Sequence, residues 1–211
     1  MSTSTGVPGS DSPTRPGRLQ QVRRHWAPLV LTLAILLLVG AATTALDRAE
    51  VEFEDVSVRV GQAASVNGFV VSVDRVRATR TLDYDGPGRK KSATSANLIL
   101  VLDVRAELPG PSETRNLDNV RLMTARGIRF APARESMRVG TELGYRTTGY
   151  LWFEIPETDL AGARVTFVEG EILTTYRKRV VVDLGLDPAT ADRLRAAREP
   201  LSVSREEVSG L

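Results

Sequence analysis

Any chemistry in this chain must come from carboxylates, arginines and tyrosines, because it has no cysteine and only one histidine, His25. Without cysteine there are no disulfides, thiolate metal sites or thiol nucleophiles. His25 stands beside Trp26 at the border of an apolar run, so a Ser-His-Asp triad or His-ligated metal further along is excluded. Asp83-Tyr84-Asp85-Gly86 opens like a calcium loop. Pro87 follows it, however, and Thr94 stands where the closing carboxylate belongs, so the segment reads as an acidic turn. Glu157 with Asp159, and Glu169 with Glu171, have the composition of a glycosidase pair but read as solvated strand ends. No phosphate-binding glycine loop follows a strand. The expectation is a non-enzymatic protein with no cofactor and no metal.

Binding residues are easier to find. Arg89-Lys90-Lys91 and Tyr176-Arg177-Lys178-Arg179 are two basic clusters that, if they converge, suit an anionic polymer or lipid headgroups. The bland reading of each is a strand edge protected by charge. Tyr145, Tyr150 and Trp152 are candidates for an aromatic patch facing a partner. Alternation points Trp152 outward, where a C-terminal helix is the alternative cover.

The charge distribution argues against nucleic acid. The pI near 9.2 rests on Arg15, Arg18, Arg23 and Arg24, which precede the apolar run with Asp11 as the only acid among them. Setting aside those four of 28 basic residues and that one of 26 acidic residues leaves 24 against 25. The remainder is near neutral and has no basic footprint for nucleic acid.

The arginines instead set topology. Residues 27–46 contain no charge, and as a helix they span roughly 30 Å, the thickness of a bilayer core. Pro28 falls in the first turn, where its missing N–H costs little, and Trp26 suits the headgroup level. With the arginines before the span, the N-terminus is expected in the cytoplasm and the rest outside. A cleaved signal peptide is the rival reading, given the small residues Thr43 and Ala45. Residues 1–26 form a Ser, Thr, Pro and Gly-rich tail too polar to order itself.

From residue 47 the hydrophobic period is two. Val56, Val58 and Val60 alternate with polar residues, and Ala63–Val66 and Phe69–Val73 flank Asn67-Gly68, a strong hairpin signal. Alternation slips at Asp74 and Arg75, predicting a bulge before the strand continues towards Thr81. Asp83–Ala93 reads as a polar loop. Asn97–Leu108 is the clearest core strand, and Ile99 and Val101 make its first half apolar on both faces, so one end should be covered twice. Val120–Met123 and Ile128–Phe130 bracket Arg126-Gly127 as a second hairpin. Gly149–Ile155, Val165–Val168 and Val180–Leu184 bring the count to seven or eight strands. Asp187-Pro188 reads as cap and first residue of a short helix ended by Pro200, with residues beyond it loose.

Three runs carry a resemblance: Val60-Gly61-Gln62 leading into Phe69–Val73, Asn97–Val104, and Tyr150–Pro156. In order and spacing they resemble an actinobacterial family of extracytoplasmic immunoglobulin-like domains, on secreted or membrane-anchored proteins. The family is similar to a small secreted mycobacterial antigen and is often labelled telomere-repeat binding factor. The resemblance covers roughly residues 56–170 and implies a fold and a location but no reaction. One departure is Leu108-Pro109-Gly110, where that family usually turns through an Asn-x-Gly-like sequence. The expected architecture is all-β, an immunoglobulin-like sandwich over residues 47–186. One transmembrane helix precedes it, and a short helix with a loose tail occupies residues 187–211. The expected role is a binding or scaffolding module meeting another membrane or envelope protein, with capture of an anionic polymer or small molecule as the alternative.

Overall fold

The computed structural model describes residues 31–36, 38, 53–86, 88–112, 114–117, 119–169, 177–204 and 206–211. The chain divides into two compact units, residues 1–50 and 51–211. In the first, residues 31–36 and 38 are helical, with Leu31, Leu33, Ile35, Leu36 and Leu38 exposed. The expected tail 1–26, and most of the expected span 27–46, lie outside the described residues. Among the described residues no helix is long and apolar enough to cross a membrane.

The second unit is a two-sheet, sandwich-like, mostly-β fold. Its strands are β1 (Phe53–Arg59), β2 (Ala63–Val66), β3 (Phe69–Gly86), β4 (Arg89–Glu107), β5 (Asn119–Met123), β6 (Arg129–Phe130), β7 (Tyr145–Ile155), β8 (Arg164–Val168), β9 (Arg177–Asp183), β10 (Leu201–Val203) and β11 (Glu207–Gly210). The first sheet runs β1-β9-β8-β5-β6. The second runs β10-β3-β4-β7-β11, with β2 also paired to β3. Leu98, Leu100 and Leu102 of β4 turn one face into the main core, where they meet Phe153 of β7 and Phe167 of β8, all fully buried. Burial of each such side chain is worth about 1.5–3 kcal/mol.

Local chemistry explains the turns. Asn67 (φ 50°) and Gly68 (φ 86°) take the two left-handed positions of the β2–β3 hairpin. The predicted bulge is present as a register shift between Val73 and Arg75, and a second shift lies between Thr79 and Thr81. The Arg126-Gly127 hairpin also forms, pairing Leu122 with Phe130 and Met123 with Arg129.

Two expectations are corrected. Asp83–Ala93 is not a loop: β3 and β4 stay paired from Leu82 with Ala93 out to Gly86 with Arg89. The polar composition hides this, because only Leu82, Tyr84 and Ala93 face an apolar cluster. Nor is the tail after Pro200 loose. β10 pairs in parallel with β3 at Leu82–Tyr84, and β11 pairs antiparallel with β7 at Tyr145–Thr148. The C-terminal helix (Pro188–Arg195) forms as expected. The Asp187 carboxylate accepts a bond from the Thr190 N–H at 2.6 Å, Pro188 follows it, and Ala191 is fully buried. That bond holds the Asp187 carboxyl below the ordinary carboxylate range.

Candidate functional site

The outer face of the second sheet, away from the main core, brings charged and aromatic side chains together. Register sets it row by row. Val101 lies between Arg77 and Trp152, and Asp103 between Arg75 and Tyr150. Further along, Arg105 lies between Ser72 and Thr148, and Glu107 between Val70 and Arg146. Period-two alternation thus sends the same strands' leucines inward and these side chains outward.

The charges on this face answer one another. Arg77 donates to Asp103 at 2.5 Å, Arg105 reaches Asp74 at 3.0 Å, and Arg146 holds Glu107 at 2.7 Å. The bulge is what brings Asp74 in, and its carboxylate also accepts the Ser72 hydroxyl at 2.8 Å. The net result is a ladder of paired ions, with little free charge to attract a polyanion.

Beside the ladder lies a second, smaller apolar cluster of Leu82, Tyr84, Ile99, Val101, Tyr150 and Val203, with Trp152 and Leu201 against it. This explains why β4 is apolar on both faces at that end. The Tyr84 and Trp152 rings lie 6.4 Å apart, tilted. Burial pushes the Tyr150 phenol up, helped by the nearby Tyr84, Asp85 and Glu135. It is therefore held as a neutral hydroxyl. The tail crosses this face: Ser202, Val203, Ser204 and Glu207 line, with Arg77, Asp103 and Tyr150, a shallow open recess of about 340 Å³. Two donors on this face are buried without hydrogen-bond partners: Arg77 Nε, at the recess, and Trp152 Nε1, whose ring packs against the apolar cluster.

The two basic clusters stand on different sheets. Arg89 and Lys90 are exposed at the tip of the β3–β4 hairpin, and Lys91 lays its stem across Gly86. In register Lys90 faces Asp85. In β9, Arg179 is gripped by Asp55 and Lys178 lies 3.8 Å from Glu54. Arg177 begins β9, and Tyr176 is outside the described residues. The three aromatic candidates also separate. Tyr145 is exposed beside Gly210 of β11, Tyr150 is buried, and Trp152 is half-buried against the apolar cluster that Val203 of the tail joins.

The acidic pairs are occupied or incomplete. Glu157 pairs with Arg80, buried Asp159 pairs with Arg126, and Glu171 lies outside the described residues. Among the described residues no cluster of three or more His, Cys, Asp or Glu is placed to hold a metal. A further recess of about 420 Å³ lies between Leu108–Arg115 and Thr141–Leu143, with Arg115 and Glu142 at its rim. The tail-covered groove was not visible in the sequence. Its only signal was the double-faced Ile99 and Val101, which required a cover without saying which segment supplied it.

No family model matches the chain, and no curated protein matches it. Among solved structures it is similar to the yjhA protein from Bacillus subtilis. The identity is 16% and the TM-score 0.42, over 59% of this chain and 99% of that one. It is also similar to an uncharacterized β-sandwich protein from Clostridium difficile 630. There the identity is 9% and the TM-score 0.37, over 63% of this chain and 95% of that one.

Proposed function

We propose that this protein is a membrane-anchored, extracytoplasmic, non-catalytic binding module of the cell envelope, whose immunoglobulin-like sandwich contacts another membrane or envelope protein through its strand edges. The observation that carries the reading is β1. It is a seven-residue edge strand without proline or lysine, and among the described residues nothing pairs with its outer side. Such an edge presents unpaired backbone groups that a partner strand can complete. The ion-paired side chains around it leave shape and backbone bonding as the means of recognition. The anchor is supported by the uncharged run 27–46 behind its arginines, and by the leucines exposed on helix 31–36.

The test is photo-cross-linking in native membranes from a reactive residue placed at Ser57 on β1, with Ser92 on the hairpin as a comparison. A discrete adduct with one protein from Ser57, absent from Ser92, is the expected result. No adduct from Ser57, together with salt-sensitive binding to an anionic envelope polymer, would overturn it. That outcome would favour the second reading, capture by the hairpin tip, which the exposed Arg89 and Lys90 support. Intact mass of the extracted protein checks the anchor: about the full 23.0 kDa is expected, and a species beginning near Leu46 would mean cleavage.

A further inference from the structure

The tail is a thin cover. β10 has three residues and β11 four, and only Leu201 and Val203 join the apolar cluster beneath. All four residues of β11 are exposed, including Val208 at 57%. One bond ties the segment before β10 to β3, from the Thr79 hydroxyl to the Glu199 carbonyl at 2.9 Å, and Pro200 follows at once. The fit below is incomplete. Arg77 Nε and Trp152 Nε1 are buried without acceptors. A buried donor left unpaired is destabilising, so an occupant that brought acceptors to these groups would bind better than the one in place.

We propose that residues 201–210 are a built-in stand-in for an external ligand, and that an extended segment of a partner protein displaces them to pair with β3 and β7. The sheet edge has the form needed to take a strand, since it holds one: β10 pairs in parallel with Leu82–Tyr84, and Leu201 and Val203, two apart, join the apolar cluster with exposed Ser202 between them. The occupant is therefore an extended peptide with two apolar residues two apart. Its carbonyls, or a short polar side chain, supply the acceptors that Arg77 and Trp152 lack. The ladder of paired ions beside the groove disfavours a highly charged peptide. This inference rests on the binding-module reading and names a second contact for it, distinct from the β1 edge.

The probe is a synthetic peptide of residues 199–211, added to the full chain in detergent micelles. With Trp26→Phe as background, Trp152 is the only indole and its fluorescence reports the groove. The Leu201→Ser/Val203→Ser chain, whose own tail is loosened, is expected to bind the peptide at least tenfold more tightly than the native chain. A variant that melts cooperatively yet binds no peptide would overturn the proposal. So would a concentration-dependent dimer with exchanged tails, which would make a second copy the occupant. Hydrogen exchange on the native chain supplies a test that needs no variant. Amides of 201–203 and 207–210 are expected to exchange at least a hundredfold faster than those of Leu100–Leu102, and exchange only together with the core would overturn the displacement. Peptide binding without a Ser57 adduct in membranes would sink the β1-edge reading while sparing the groove. The reverse result would sink the groove alone.

Discussion

Asp55 and Arg179 face each other across the parallel β1–β9 pair, and the guanidinium grips the carboxylate at 2.7 and 2.8 Å. The same guanidinium lies over the Phe53 ring, 4.8 Å from its centroid. Two parallel N–H···O bonds match the planar fork of arginine to a carboxylate, and a ring face beneath adds cation–π attraction. A basic triplet that reads in sequence either as an anion site or as a strand edge protected by charge is here in part a fastener between strands.

That assignment gives the first prediction. Arg179→Ala and Asp55→Ala should each destabilise by about 1 kcal/mol, with a coupling of about 0.5–1 kcal/mol in the double-mutant cycle, a range set by partial solvent exposure. Denaturant unfolding measures it. Zero coupling would show that the pair is ornamental, and a large loss of polyanion binding in Arg179→Ala would return it to the role of ligand site.

Close packing gives the second. A Cβ at Gly149 would meet Met137 Sδ at 2.9 Å and Met137 Cβ at 3.2 Å. Gly149→Ala should therefore cost about 1–3 kcal/mol by overpacking. A Met137→Ala background removes the Sδ contact at 2.9 Å and leaves only the tighter-than-usual Cβ contact at 3.2 Å, so the double variant should lose less than the sum of the singles. Additive losses would place the cost elsewhere.

Tyr150 gives an alkaline prediction. Its folded pKa is raised above the unfolded value of 10.0, so the neutral phenol is favoured in the native state. That contribution is whole below about pH 10 and is lost as pH rises towards the folded value. The native chain should lose stability above pH 10 more steeply than Tyr150→Phe, as read from melting temperatures across the range. Parallel curves would mean that the phenol is freely solvated.

Asp187 gives the acid counterpart. Its folded pKa is lowered, chiefly by the Thr190 N–H, so its contribution is present above the ordinary aspartate range and fades as pH falls through the folded value. Asp187→Ala should lower the melting temperature at neutral pH but scarcely at pH 2, and Asp187→Asn should keep most of the capping. An equal deficit at both pH values would implicate packing instead.

How much was legible follows from the range of each signal. Alternation of Val56, Val58 and Val60, the Asn67-Gly68 turn, the slip at Asp74 and the Asp187-Pro188 cap are local, because backbone sterics and side-chain period act within a few residues. The apolar pair Ile99 and Val101 even announced a second cover. What lay beyond the sequence was the choice of partner. Backbone edges bond alike whatever residues they carry, so nothing in Phe53–Arg59 names β9, whose Arg179 lies 124 residues from Asp55. The long hairpin was masked for the same reason, since its polar arms hold only Leu82, Tyr84 and Ala93 against the cluster.

By itself, then, the sequence determined the core strands such as Asn97–Leu108, the Asn67-Gly68 and Arg126-Gly127 turns and the Asp187 cap, together with the lack of cysteine and of any histidine after residue 25. The tertiary structure alone decided that the parallel β1–β9 pairing occupies Lys178 and Arg179 with Glu54 and Asp55. It alone brought Leu201 and Val203 into one apolar cluster with Trp152 and Tyr150. The physical reason is that φ/ψ preference and alternation are set by neighbours along the chain. Which edge and which face each strand covers is set by the total burial and pairing of the whole fold.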